Sequence, residues 1–107
     1  MSYLKIPLTP AVNGQTSVII QKKDILNVLA VNATSTIINM NTGVAAEDIL
    51  TLTHTAAATG WNVPDVIQDT WTASPGSGVS LVGGIPATVS ATGQPVTFVV
   101  FTAALFT

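Results

Sequence analysis

Seven short runs rich in Val, Ile, Leu and Thr, set apart by Asn, Gly, Ser and Pro, limit what this chain can fold into. They are Ser17–Gln21, Asn27–Val31, Thr36–Met40, Asp48–His54, Val79–Val82, Ala87–Ala91 and Val96–Thr102. Each has the length of a strand rather than of a helix, and β-branched residues favour a pleated, half-buried surface. Turn formers punctuate them at Asn13-Gly14, Asn32, Asn41-Thr42-Gly43, Pro75-Gly76-Ser77-Gly78, Gly83-Gly84 and Thr92-Gly93-Gln94-Pro95. Short strands at such spacing predict a mainly β fold, a small antiparallel β-sandwich or barrel. A chain of 107 residues is one domain, 1–107. In the run Asp48–His54, Leu50 and Leu52 fall on one face and the threonines on the other, leaving a threonine face for solvent or a partner.

One segment departs from this pattern. Asn62 suits an N-cap, Pro64 the first helical turn, and Asp65 the amino end that the helix dipole favours for acids. A short helix is expected over about residues 62–72, with Val63, Val66 and Ile67 forming an apolar stripe together with Thr70 and Trp71.

Charge is the scarce commodity. Lys5, Lys22 and Lys23 face Asp24, Glu47, Asp48, Asp65 and Asp69, which is 7% of the chain where soluble domains carry about 25%. There is no arginine, and nothing charged from Thr70 to Thr107. Nucleic-acid binding draws on several basic contacts to phosphate, which three lysines do not provide. The most apolar stretch, Val96–Phe106, is shorter than the roughly 20 residues of a spanning helix and is broken by Thr97 and Thr102, so a membrane partner is not expected. The amino-terminal residues lack the continuous apolar core of a secretory signal. With 48% hydrophobic residues the chain is outside the disordered class, and without cysteine it has neither disulfides nor thiolate metal ligands.

No residue set announces a reaction. His54 is the single histidine and its nearest acids in sequence, Glu47 and Asp48, lie six or more residues back, so a structural role is expected and zinc is not. Asp65 and Asp69 share a helix face but lack the alternating acids and glycine of a calcium loop, and read as a solvated face. No serine lies in a nucleophile elbow, and neither glycine-rich stretch has the strand, spacing and helix of a phosphate loop. The expectation is a chain with no catalytic, cofactor or metal residues and no small-molecule substrate.

The opening Tyr3-Leu4-Lys5-Ile6-Pro7-Leu8-Thr9, the run Asp48–His54 with its alanine-rich link, and the segment Val63–Asp69 together resemble small virion structural proteins of tailed phages, notably those infecting cyanobacteria. The resemblance spans about half of the chain. It implies a location in the virion and a capsid decoration or cement role, or that of another virion subunit of tail or neck, with no catalytic residue to carry over. Its partners would be copies of itself and a major capsid protein.

The carboxyl third lies outside that resemblance, and there the physics speaks alone. An apolar, uncharged chain end needs cover from its own sheet or from a neighbour. Phe98, Phe101, Leu105 and Phe106 are the candidate assembly interface of a homo-oligomer, since obligate interfaces are large and poor in charge at their centre. A carbohydrate-binding β-sandwich using Trp61, Trp71 or Tyr3 as a stacking platform is the alternative of a different class, although core packing is the expectation for the two tryptophans.

Overall fold

The structure is a computed structural model and describes residues 2–12, 14–44, 48–72 and 78–107. Asn13 of the first expected turn, the carboxylate of Glu47, and Pro75-Gly76-Ser77 of the glycine-rich loop lie outside the described residues.

The chain is mainly β with one short helix. In order, the strands are β1 (Ser2–Val12), β2 (Gln15–Gln21), β3 (Ile25–Asn32), β4 (Ser35–Met40) and β5 (Ile49–His54), followed by helix α1 (Val63–Thr72). Four shorter ones complete it: β6 (Gly78–Leu81), β7 (Pro86–Val89), β8 (Pro95–Phe98) and β9 (Phe101–Phe106). Seven strands form one mixed sheet with the order β2-β1-β9-β5-β4-β3, to which β6 adds alongside β1, and β7 pairs β8 as a separate hairpin. Most pairings are antiparallel; β1 runs parallel to β6 and to β9. The two ends of the strand order, β2 and β3, are consecutive in sequence and joined by a single 3₁₀ turn, Lys22–Asp24. A sheet whose end strands are so tied must curl back on itself, which makes the globule sandwich-like.

β1 makes this possible, and the seven runs do not include it. Leu4, Ile6 and Leu8 are buried and alternate with the half-buried Tyr3, Lys5 and Pro7, a period of two through the whole stretch. Its first half pairs β2 on one side, from Tyr3 opposite Gln21 to Pro7 opposite Ser17, and β6 on the other, from Ser2 opposite Gly78 to Lys5 opposite Leu81. At Pro7 the β2 register breaks, and Leu8 pairs Phe101 of β9. A proline gives no ladder N–H and is tolerated where pairing ends or shifts. Here it stands at the crossing from one layer to the other.

The two layers press their inward side chains together. β2 contributes Val18 and Ile20, β3 Ile25 and Val28, β4 Ile38 and Met40, and β5 Leu50 and Leu52, all buried. The helix closes one side with Val63 and Ile67 buried and Val66 and Trp71 partly so, as the stripe predicts. Asn62 Oδ1 accepts the Asp65 N–H at 3.3 Å, the expected N-cap. Gln68 Nε2 donates to the Val28 carbonyl at 3.0 Å, so the helix also occupies a hydrogen-bonding position on edge strand β3.

The run Val96–Thr102 is two strands rather than one. Pro95–Phe98 belongs to the hairpin, Val99 turns into the core with its N–H on the Ile85 carbonyl at 2.8 Å, and β9 begins at Phe101. Apolar β-formers suit either sheet, so composition alone does not mark the break. The hairpin turn uses Gly93 at φ +86°, a left-handed conformation that favours glycine, with the Gly93 N–H on the Ser90 carbonyl.

Ile6→Ala is expected to cost about 2–5 kcal/mol, the range for emptying a buried aliphatic site. Ile19→Ala, on the outward face of β2, is expected to change stability by less than about 0.5 kcal/mol. Urea denaturation followed by circular dichroism gives both values.

Candidate functional site

The register of β3, β4, β5 and β9 determines which residues share the outward face of that layer. Three rows cross it. Asn27, Asn39 and Ile49 align, continued by the backbone pair of Ile49 with Thr107. Leu29, Ile37, Thr51 and Leu105 form the middle row, and Asn32, Ser35, Thr53 and Ala103 the third. None of these twelve side chains is ionisable. Leu29, Ile49 and Leu105 are exposed, Leu105 at 63%, while Ile37 and Thr51 are half-buried between them. The expected threonine face is therefore present as Thr51 and Thr53, set among exposed aliphatics. The outward side of the other layer differs: Lys5 stands between Ile19 and Leu81 in the row across β2, β1 and β6. A lysine there opposes edge or face pairing, and the four-strand face has no such guard.

A bulge decides where the carboxyl-terminal aromatics point. Thr53 pairs Ala103 while His54 pairs Phe101, which leaves Thr102 as an extra residue and reverses the alternation beyond it. Leu105 is thereby turned outward opposite Thr51, and Phe106 inward opposite Leu50. Phe106 remains 38% exposed and lines a 310 Å³ cavity together with Ile20, Met40 and Asp24. Phe98 is 52% exposed on the hairpin. Phe101, expected at the assembly face, is instead a core residue at 2% exposure. It precedes the bulge, shares the inward face with His54, and lies edge-on to that imidazole with centroids 5.6 Å apart. Of the four expected interface residues, only Leu105 lies on the uncharged face.

His54 is buried and both ring nitrogens are engaged. Nδ1 lies 2.8 Å from the Thr55 carbonyl, which can only accept, so Nδ1 carries the proton. Nε2 then accepts from the Thr36 hydroxyl at 2.9 Å. In this arrangement neither nitrogen is available to a metal or a substrate, and the histidine serves to satisfy a threonine buried in the layer. Asp65 and Asp69 are exposed on α1 as a solvated face. Among the described residues no three His, Cys, Asp or Glu side chains gather as a metal site, and no helix is long and apolar enough to cross a membrane.

The tryptophans part company. Trp71 packs on the core and donates its Nε1–H to the Lys22 carbonyl at 3.2 Å. Trp61 is not a core residue; it precedes the helix in the loop and is 48% exposed. The turn that holds it, with its N–H on the Ala58 carbonyl, lifts the indole to the surface beside a small cavity. Searches against protein-family models, curated proteins and solved structures return no match.

Thr36→Val removes the donor to His54 Nε2 and leaves a buried acceptor unsatisfied, so a loss of about 1–3 kcal/mol is expected. Thr53→Val, on the exposed side of the neighbouring strand, is expected to stay within about 0.5 kcal/mol of the parent. Chemical denaturation of the two variants side by side checks the difference.

Proposed function

We propose that this chain is a non-enzymatic structural subunit that assembles with copies of itself through the outward face of β3, β4, β5 and β9. Following its resemblance to small virion structural proteins, the larger structure it joins is a phage capsid, which it decorates or cements by docking on the major capsid protein. The observation that carries the assembly reading is the face itself: three registered rows with no ionisable side chain and with Leu29, Ile49 and Leu105 exposed. Interfaces between permanent partners are depleted of charge at their centre, and a bare sheet face of this kind is covered in stable proteins.

Magnitudes argue for more than one contact. Four strands spaced about 4.8 Å apart and about five residues long present roughly 300–400 Å² of projected face. A standard interface takes about 800 Å² from each partner. Further surface must join in, and the β7–β8 hairpin offers it, with Val89, Val96 and Phe98 all exposed. A two-stranded hairpin is marginal alone and gains most from being covered.

The double variant Leu29→Lys, Leu105→Lys places two ammonium groups in the middle row. Light scattering after gel filtration is expected to show a wild-type assembly and a folded variant at the monomer mass of 11.0 kDa. Leu81→Lys, beside Lys5 on the other layer, is expected to assemble as wild type. A wild-type chain that remains monomeric at high concentration, or a double variant that assembles unchanged, overturns the reading. Mass spectrometry of purified particles addresses the virion part: peptides of this chain are expected in fixed ratio to the shell protein, and their absence removes the capsid assignment while leaving self-assembly.

A further inference from the structure

The hollow beside Trp61 lies at the junction of the β3–β4 turn, the link after β5 and the start of α1, and it shares Asn32 with the end of the third row of the uncharged face. Its volume is about 150 Å³ and alanines make up four of the ten residues around it. Short side chains leave this space open. A cavity of about this size accommodates one six-membered ring.

The polar groups at its rim are specific. Asn32 Oδ1 accepts from the Thr34 N–H at 2.9 Å and from the Thr34 hydroxyl at 3.1 Å, and Asn62 Oδ1 caps the helix. Each amide is thus oriented by its oxygen. Among the hydrogen bonds of the described residues neither Nδ2 of these two exposed asparagines has a protein acceptor, so both NH₂ groups can donate to water or to a bound molecule. The exposed Trp61 indole supplies an apolar wall, and no lining residue carries a formal charge; His54 at the floor has both nitrogens committed within the protein.

We infer that this hollow is a binding site for a single neutral pyranose, stacked on Trp61 and held through its hydroxyl oxygens by the Asn32 and Asn62 amides. A saturated ring with C–H groups on one face and hydroxyls at its edge matches an indole beside two donors; an anion finds no cation there, and a planar hydrocarbon leaves the donors unused. The affinity expected of one sugar ring, about a dozen heavy atoms at ordinary ligand efficiency, is millimolar.

The two tryptophans make the test direct. With 5-fluorotryptophan incorporated into the full chain, ¹⁹F spectra are followed during titration with methyl α- and β-glycosides of glucose, galactose, mannose and N-acetylglucosamine. At least one glycoside is expected to shift the Trp61 signal saturably in the millimolar range while the Trp71 signal, tied to the Lys22 carbonyl, stays fixed. Asn62→Asp keeps the capping oxygen and removes the donor, and is expected to weaken binding roughly tenfold with unchanged circular dichroism, the loss associated with one good hydrogen bond. Trp61→Ala, read by isothermal titration, is expected to abolish it. No saturable shift with any glycoside to about 100 mM overturns the inference, as does retained binding by Trp61→Ala. An equal response to cyclohexanol also overturns it, since that identifies a merely apolar cleft.

Discussion

Everything in this fold depends on one strand being shared between two layers. β1 gives its amino half to β2 and β6 and its carboxyl half to β9, and Leu4, Ile6 and Leu8 stay inward throughout. Because β2 leads through a three-residue turn straight into β3, the far edge of the same sheet, the path from β2 to β3 curls around those three side chains. The core follows from that curl: the inward residues of β4 and β5 meet those of β1 and β2, and α1 covers the side where β3 ends the order. Loss of the β1 alternation would detach the layers rather than loosen one contact.

The sequence discloses much of this and conceals its centre. Periodicity places β2 to β7 and the capped helix close to where they stand, because each is local: an apolar alternation, a turn residue, an asparagine before Val63. β1 escapes because Pro7 and Pro10 interrupt a run that otherwise alternates cleanly from Tyr3 to Leu8, and proline counts against a central strand. What rescues it is nonlocal, a change of partners at Pro7 that no single-strand pattern encodes. The same limit governs the site. That Leu105 faces out and Phe101 in depends on the bulge at Thr102, and a bulge is a property of the pair β5–β9, not of either segment. The uncharged face exists only when four strands are aligned in register, so its residues, Asn27, Leu29, Ile37, Ile49 and their neighbours, come from four separate runs. Trp61 and Trp71 look equivalent in sequence and differ because one lies on the helix stripe and the other ahead of its cap.

The charge deficit acquires a geography. Lys5 guards one outward layer, Lys22 and Lys23 lie at the turn beneath the helix, Asp65 and Asp69 cover the helix exterior, and among the described residues the three rows of the four-strand face hold none. A face without charge has nothing to repel a copy of itself, which is the property the proposed assembly uses. In the assembly proposed above, that face, more than the phenylalanines of the chain end, is where the carboxyl third would contribute, through Ala103 and Leu105.

Hydroxyl-radical footprinting read by mass spectrometry, on dilute and on concentrated protein, tests this directly. The account predicts that oxidation of Leu29, Ile49 and Leu105 falls as the mass rises above 11.0 kDa, while Val79 and Leu81 on the opposite layer keep their reactivity. Unchanged oxidation of the three face residues in an assembled sample, or protection confined to Val79 and Leu81, contradicts it.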